Sequence, residues 1–248
     1  MNWISVGFLF IIAEILDLET QAIDFVLEFS QADLEVPVCM ELPTGMNIPN
    51  NSGRGSGYYV LKLKKNLYGL KNACLNWHNK LKAALEARGF VESLSDPCVF
   101  IGKPMIVLYY VDDCILISKD KSTIAYFIAS LKHGSENFEF TDEGSMRTYL
   151  GVDISHQPDS KGFTLSQPFL ISRVIEALNF NTTTTKGARD NTPASYPLLS
   201  KDHDGPIRKA DWKYRSVIGM LGYLQGTTRP DISMATHQCA TFCMEPNL

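Results

Sequence analysis

The stretch MIVLYYVDDCILI, at residues 105–117, limits the possible folds of this chain more than any other. Two runs rich in β-branched and aromatic residues are separated only by the adjacent acids Asp112 and Asp113. Each run has the length and composition of a buried strand, so we expect a β-hairpin with both carboxylates at its bend. Carboxylates beside core strands are costly unless a cation compensates their charge, and Mg²⁺ binds both carboxylate and phosphate oxygens. The pattern therefore indicates a divalent-metal site, with a purely structural Asp turn as the alternative.

The composition is that of a globular protein, but the charge is unevenly distributed along the chain. The 248 residues are 45% hydrophobic and 20% charged, which suffices for one large domain or two small ones. A net charge of −4 argues against a general nucleic-acid binder. Residues 54–88, however, contain eight basic residues and the single acid Glu86. This asymmetry predicts one phosphate-facing surface, and a solvated basic helix face is the alternative.

The cysteines and the apolar N-terminus favour an intracellular protein over a secreted or anchored one. The six cysteines form no CxxC pair, which is typical of reduced thiols, and His237, Cys239 and Cys243 lack a fourth ligand for zinc. Residues 3–16 are apolar but too short to span a bilayer, follow no basic segment and include Glu14. We therefore expect a buried helix there, no signal peptide, no membrane contact and a cytoplasmic location.

Hydrophobic periodicity divides the chain into strands and helices. A helix over residues 71–88 is predicted because Ala73, Trp77, Leu81 and Leu85 recur every fourth residue. The other predicted helices and their buried faces are 5–18 (Ile11, Ile15, Leu18), 121–132 (Ile124, Phe127, Ile128, Leu131), 168–178 (Phe169 or Leu170, Val174, Leu178) and 210–243, broken near 229–231. The predicted strands are 22–27, 36–42, 58–63, 98–101, 138–140, 149–154 and 162–165, with a turn or short helix at 32–35, a loop at 47–57 and a linker at 181–206.

A third acid, Asp24, lies inside the predicted strand at 22–27. The order of the elements predicts an α+β fold in which an antiparallel sheet is backed by two helices. In such a sheet Asp24, at the end of its strand, can meet the turn of Asp112 and Asp113 at one edge. Three carboxylates placed there would hold two Mg²⁺ ions about 3.5–4 Å apart, the geometry of in-line phosphoryl transfer, with Mn²⁺ as the alternative ion.

Seven sequence blocks follow one another along nearly the whole chain. They are IDF at 23–25 with Phe29, ADLE at 32–35 and MELP at 40–43; KKNLYGLKNA at 64–73 with Trp77; SDPCVF at 95–100; YVDD at 110–113; YLG at 149–151; LSQ at 165–167; and YRSVIG at 214–219 with TRPDI at 228–232. In this order the blocks resemble the reverse transcriptase of copia-type LTR retrotransposons. Each block alone is weakly specific, whereas the ordered set is highly specific.

The resemblance implies a domain organisation. Residues 1–180 would form a reverse-transcriptase palm, an antiparallel sheet backed by helices, with partial fingers and the start of the thumb. Residues 181–206 would be a linker, and residues 207–248 a helical connection segment that precedes a ribonuclease H domain. By this comparison the N-terminal fingers strands and the ribonuclease H domain are missing, and we interpret the chain as a fragment of a polyprotein or a degenerate genomic copy.

The resemblance also implies roles for individual residues. Asp24, Asp112 and Asp113 would be the catalytic metal ligands of an RNA-directed DNA polymerase, a nucleotidyltransferase that uses two Mg²⁺ ions. The nucleotide-binding residues would be Phe29, the steric gate that excludes a 2′-hydroxyl, together with Lys71 and Asn72. The primer and template contacts would be Tyr110, Tyr149, Leu150, Gly151, Lys62, Lys64 and Lys65. The implied partners are an RNA or DNA template with its primer, deoxynucleoside triphosphates and the integrase and ribonuclease H domains of the polyprotein, within a virus-like particle for an intact element.

Two positions depart from the family pattern near the implied nucleotide site. Glu28 stands where a small residue is usual, and Asn72 replaces a glutamine that is one methylene longer. Together with the missing fingers strands, these departures predict weak or no polymerase activity, because positioning supplies much of the catalysis of phosphoryl transfer. The alternative, from a different class, is a non-catalytic retroelement remnant that at most binds nucleic acid through residues 54–88.

Overall fold

The structure is a computed structural model that describes residues 2–46, 59–134, 136–156, 162–180, 200 and 212–244. These residues belong to two units, Met1–Met146 and Arg147–Leu248. The predicted loop at 47–57 lies outside the described residues, as does the predicted linker at 181–206 apart from residue 200. The predicted palm range, 1–180, crosses the boundary between the two units, and the domain boundaries stay a prediction.

The first unit is built on an antiparallel sheet. Its strands are β1 (Glu19–Phe25), β2 (Cys39–Glu41), β3 (Val60–Lys62), β4 (Val91–Glu92), β5 (Val99–Ile101), β6 (Met105–Tyr110), β7 (Asp113–Ser118) and β8 (Phe140–Ser145). Its helices are α1 (Trp3–Ile15), α2 (Glu28–Gln31), α3 (Ala73–Glu86) and α4 (Lys121–His133). Six strands pair in the order β4-β5-β6-β7-β1-β8, while β2 and β3 form a separate two-stranded sheet. The predicted antiparallel sheet with helices is confirmed.

The hairpin of β6 and β7 lies at the centre of this sheet. Residues Cys114 to Ser118 of β7 are all buried, so both faces of the sheet are covered at this strand. Helices α3 and α4 contribute to the core on one face, through the apolar residues that their periodicity predicted. These residues are Ala73, Trp77, Leu81 and Leu85 in α3, and Ile124, Phe127, Ile128 and Leu131 in α4. Helix α3 ends before Gly89, whose φ of 83° a residue with a Cβ rarely adopts.

The face that α1 buries differs from the predicted one. Ile11 and Ile15 are 59% and 74% exposed, and Leu18 lies beyond the end of the helix. The buried stripe is Val6, Leu9, Phe10 and Ala13. The prediction was wrong because α1 is apolar on almost every side, so periodicity alone does not identify the buried face. No helix among the described residues is long and apolar enough to cross a membrane.

Several strand boundaries also differ from the prediction. Strand β1 begins at Glu19 rather than at residue 22, and β8 extends through the polar sequence TDEGS that follows Phe140. Of the two predicted alternatives at 32–35, a turn or a short helix, the helix is absent there: the chain bends at Ala32 and Glu35, and the short helix α2 lies just before them. Strand β4 is an unpredicted edge strand of two residues. Polar edge strands carry little sequence signal, because their pairing with a neighbour defines them more than their own propensity does.

The described residues of the second unit form a small sheet, three α-helices and one 3₁₀ helix. Its elements are β9 (Thr148–Tyr149), β10 (Val152–His156), β11 (Phe163–Ser166), α5 (Pro168–Ala177), α6 (Tyr214–Thr227), a 3₁₀ helix (Pro230–Ile232) and α7 (Ser233–Ala240). The predicted break near residue 230 is confirmed by this 3₁₀ helix. In α5 Val174 is buried as predicted, but Phe169 is 75% exposed, so Leu170 is the more buried of the two predicted alternatives. The buried Gln167 accepts hydrogen bonds from Thr227 and Thr228, which ties the start of α5 to the end of α6.

Two leucines of α3 test the assignment of the core. Leu81 is 1% exposed and Leu75 is 54% exposed on the same helix. We expect Leu81→Ala to lower the free energy of unfolding by about 2–5 kcal/mol, since it leaves a cavity between helix and sheet. Leu75→Ala should change it by less than about 0.5 kcal/mol. Urea denaturation followed by circular dichroism measures both, and equal losses would contradict the buried face described for α3.

Candidate active site

Two of the predicted carboxylates lie side by side on adjacent strands in the middle of the sheet. Asp24 is the penultimate residue of β1 and Asp113 is the first residue of β7, and the two are direct partners in the antiparallel register. Ile23 and Phe25 belong to the helix-facing core, so the alternation of the strand turns Asp24 to the opposite face. Directly opposed side chains have Cβ atoms about 5 Å apart, and two like charges at that separation destabilise a sheet. The register therefore concentrates negative charge at one place.

The third carboxylate, Asp112, lies in the turn between β6 and β7. The register pairs Tyr110 with Asp113, which leaves Val111 and Asp112 as a two-residue turn. The carbonyl oxygen of Asp112 accepts a hydrogen bond of 2.9 Å from the backbone N–H of Phe25. The end of β1 is thereby fixed to the turn, and Asp112 lies close enough to the opposed pair for its charge to act on both Asp24 and Asp113.

The carboxyl groups of Asp24 and Asp113 are protonated more readily than ordinary aspartates because the pKa of each is raised. Burial, and then the charges of Asp112, Asp24 and Glu143, raise the pKa of Asp113 from 3.8 to about 6. Burial and the charge of Asp112 also raise the pKa of Asp24. Like charges and partial desolvation both disfavour the ionised form, so the site is electrostatically frustrated without a cation.

The chemistry of these donors fits Mg²⁺. Among the described residues, no three His, Cys, Asp or Glu side chains converge closely enough to enclose a metal ion by themselves. Mg²⁺ does not require such a cage, because it is usually held by one or two carboxylates while water and substrate phosphates complete its octahedral shell. The opposed Asp24 and Asp113, with Asp112 beside them, would hold the ion, and its positive charge would remove the repulsion between them.

A group of aromatic and acidic side chains lies next to the carboxylates. Phe29, on α2, is 8% exposed and meets the ring of Tyr68 edge-on, with 4.8 Å between ring centroids. The hydroxyl of Tyr68 donates a hydrogen bond of 2.5 Å to the buried carboxylate of Glu28. This hydrogen bond, burial and the charges of Glu28, Asp112 and Asp24 raise the pKa of Tyr68 to about 12. Phe29 is therefore close to the carboxylates but covered by Tyr68.

Half of the basic residues in this segment contact other parts of the chain, and the pair of Lys65 with Asp33 lies at the surface. The amine of Lys65 forms an ion pair of 2.5 Å with Asp33, and Lys82 pairs with Glu92. Further along, Lys80 donates to the carbonyl oxygen of Gln31, and Arg88 pairs with Glu136. The predicted phosphate-facing surface is thus narrower than the run of charges indicated, because ion pairs neutralise Lys65, Lys82 and Arg88, three of the eight basic residues. Within residues 54–88, the exposed lysines that form no ion pair with the described part of the chain are Lys62, Lys64 and Lys71; Arg54 lies outside the described residues.

The remaining predicted site residues fall in two places. In the first unit Lys71 and Asn72 are exposed at the start of α3, and Tyr110 is 42% exposed beside Asp113. In the second unit Tyr149 is buried, and Leu150 and Gly151 form the tight turn from β9 to β10 with φ angles of 49° and 74°. The hydroxyl of Tyr223 donates to the carbonyl oxygen of Leu150 at 2.6 Å.

Two site residues were not identified from the sequence. Glu143 on β8 raises the pKa of Asp113, and Tyr68 connects Glu28 with Phe29. Glu143 lies where the register between β1 and β8 shifts, so its position depends on a β-bulge that cannot be predicted from the sequence pattern.

Comparisons with known proteins identify the family of this chain. A family model described as reverse transcriptase (RNA-dependent DNA polymerase) matches residues 2–193, and the chain belongs to that family. Within it, the chain is 33% identical over 252 aligned positions to the retrovirus-related Pol polyprotein from transposon TNT 1-94 of Nicotiana tabacum, covering 95% of this chain and 18% of the relative. It is also 33% identical over 226 positions to the Pol polyprotein from transposon RE1 of Arabidopsis thaliana, covering 88% of this chain and 14% of the relative. The chain corresponds to the reverse transcriptase domain of copia-type retrotransposon Pol polyproteins and spans less than a fifth of these two relatives.

The raised pKa of Asp113 predicts how stability depends on pH. Because its pKa in the folded protein, about 6, exceeds its ordinary value of 3.8, ionisation of Asp113 lowers stability as pH rises through this range. Without divalent cations, Asp113→Asn should therefore be more stable than the unchanged protein near neutral pH, by on the order of 1–2 kcal/mol after allowance for partial exposure. The difference should shrink below about pH 4.

Urea denaturation at a series of pH values measures this difference. Glu35→Gln, which neutralises an exposed carboxyl group, is the matched control and should leave the pH profile unchanged. A stability gain for Asp113→Asn that does not depend on pH would show that the charge of Asp113 is not the cause.

Proposed function

We propose that this domain is an RNA-directed DNA polymerase in which Asp24, Asp112 and Asp113 hold two Mg²⁺ ions. The observation that carries the proposal is the direct pairing of Asp24 with Asp113 beside the Asp112 turn. Three neighbouring carboxylates do not stabilise a sheet, because their charges repel one another, so their position favours a cationic ligand. Membership of the reverse transcriptase family makes nucleotidyl transfer the reaction class.

The residues of the chain would divide the work of this reaction. Bound Mg²⁺ would supply charge neutralisation, activation of the primer 3′-hydroxyl and stabilisation of the leaving pyrophosphate. Asp24 and Asp113 fix the ion positions because both sit on paired strands of a buried sheet. Asp112 adds a third carboxylate on a turn that is hydrogen-bonded to β1. Phe29 would support the sugar of the incoming deoxynucleotide, with Lys71 and Asn72 at the exposed start of α3 facing the nucleotide.

The partners follow from the family and from the exposed residues. We propose that the first unit is the palm with part of the fingers, and that the second unit begins the thumb and contains the helical connection. Primer and template would contact Lys62, Lys64 and Lys65 in the first unit, with Tyr110 near the primer end. In the second unit they would contact the turn of Tyr149, Leu150 and Gly151. Other Pol domains and an intracellular compartment belong to the same proposal.

A second function, nucleic-acid binding without catalysis, is favoured by one observation. Glu28 is 2% exposed, and its carboxylate lies against Tyr68 and next to Phe29. An additional negative charge there opposes a triphosphate. Salt-dependent binding of a primer-template without nucleotide addition would support this second function over the first.

Primer extension on an RNA template with Mg²⁺ tests the polymerase proposal. Asp112→Asn should reduce extension by on the order of 100-fold or more, since it removes one of the charges that hold the ions. Asp120→Asn is the matched control, because Asp120 is an exposed acid that follows β7 at the far end from the site. Extension that survives Asp112→Asn unchanged would refute the catalytic assignment.

The choice between deoxynucleotides and ribonucleotides tests Phe29. Phe29→Ala should raise the ratio of ribonucleotide to deoxynucleotide incorporation by about 10-fold, because it removes the ring that would collide with a 2′-hydroxyl. The ratio is measured by extension with each nucleotide in turn, and it is insensitive to how much protein is folded. An unchanged ratio would assign Phe29 to the core alone.

A further inference from the structure

One side chain of α3 contacts both chain segments that carry the carboxylates. Trp77 is 2% exposed, and its indole Nε1–H donates a hydrogen bond of 2.7 Å to the carbonyl oxygen of Val111. Val111 immediately precedes Asp112 in the two-residue turn. The indole N–H is the only polar group of tryptophan and can only donate, so this contact uses the whole hydrogen-bonding capacity of the side chain.

The turn needs such a contact because its backbone is strained. Val111 has a φ of 62°, in the left-handed region. That region is unfavourable for residues with a Cβ and is rarest for β-branched ones. A residue stays there only when its surroundings hold it. Here two hydrogen bonds hold the turn, one from Trp77 to Val111 and one from the Phe25 N–H to the carbonyl oxygen of Asp112.

The same indole ring also packs against the other carboxylate-bearing strand. Its centroid is 5.0 Å from that of Phe25, with the two rings at 72°, and Phe25 directly follows Asp24. A second edge contact, to Phe138, has a centroid distance of 5.9 Å. Trp77 therefore links the end of β1 and the turn after β6 to one rigid helix.

We propose that Trp77 is a positioning residue for the carboxylate site, whose N–H sets the orientation of the turn that carries Asp112 and Asp113 relative to Asp24. The consequence for catalysis rests on the proposed polymerase function, while the consequence for geometry does not. A displacement of reacting groups by about 1 Å can reduce a rate on the order of 100-fold, so a lost hydrogen bond at this turn has a measurable effect. A tryptophan that served only as core would act through its shape and not through its N–H.

The test separates shape from hydrogen bonding. Incorporation of 3-benzothienylalanine at position 77 replaces the indole N–H with sulfur and keeps the size and shape of the ring. The control is the same full-length chain made with tryptophan at that position by the same suppression method. Trp77→Phe is a second variant, which loses the donor and also some of the ring volume.

Three measurements are made on each protein: steady-state primer extension, hydrogen exchange of the Phe25 amide by NMR, and Mn²⁺ affinity by EPR. We expect the sulfur variant to lose about 10-fold or more in kcat while KM for the nucleotide stays within about 2-fold. We also expect faster exchange of the Phe25 amide, whereas the amide of Val99, bonded to Asp96 at another edge of the sheet, stays unchanged. A variant with the kcat of the control would overturn the proposal.

The failure of the polymerase proposal can be distinguished from the failure of this one. If the unmodified chain does not extend a primer, the polymerase function fails, and the exchange and Mn²⁺ measurements decide the role of Trp77. Faster exchange of Phe25 together with weaker Mn²⁺ binding in the sulfur variant would then support the positioning role. Unchanged exchange and unchanged Mn²⁺ affinity would overturn it.

Discussion

The register that pairs β1 with β7 is the constraint on which the rest of the first unit depends, and this register places Asp24 opposite Asp113. The pair is unfavourable, so the remaining contacts of the two strands must hold the register. Further along the same ladder Ile23 faces Cys114 and Ala22 faces Ile115, all of them buried. Burial of one large apolar side chain contributes about 1.5–3 kcal/mol, so a few such residues outweigh the repulsion of one carboxylate pair. The apolar sheet therefore keeps a charged site in place that would not assemble by itself.

The helix α3 gives this site its second support. Beyond Trp77, Lys80 donates to the carbonyl oxygen of Gln31, the last residue of α2. The buried amide of Asn66 donates to the carbonyl oxygens of Ala32 and Asp33, and Asn76 donates to Asn66. These bonds satisfy backbone groups of the segment that contains α2 and therefore fix Phe29 relative to α3. The KNLYGL sequence and the first carboxylate strand thus behave as one structural group although about forty residues separate them.

The parts of the structure that the sequence predicts are those encoded by local pattern. The apolar spacing of Trp77, Leu81 and Leu85 in α3 and the interrupted run around Asp112 need no knowledge of the rest of the fold. The predicted buried face of α1 was wrong because α1 is apolar on almost every side, so no polar face distinguishes the buried one. The ion pairs were not predicted for a different reason: Lys65 contacts Asp33, and Arg88 contacts Glu136, only after the chain has folded. The bulge that places Glu143 near Asp113 is likewise a property of strand pairing.

In the proposed function, the charges around the site would affect metal binding and nucleotide binding differently. Asp24, Asp112 and Asp113 would attract divalent cations, and the charges of Asp24, Asp112 and Glu28 all act on the hydroxyl of Tyr68. Tyr68 satisfies Glu28 with a neutral hydroxyl, which leaves its charge uncompensated. A triphosphate must approach through the same potential, and of the nearby cations Lys65 is already paired with Asp33. In the proposed function, Glu28 would therefore oppose binding of the triphosphate and not of Mg²⁺, so the three carboxylates would account for metal binding more directly than for polymerase activity.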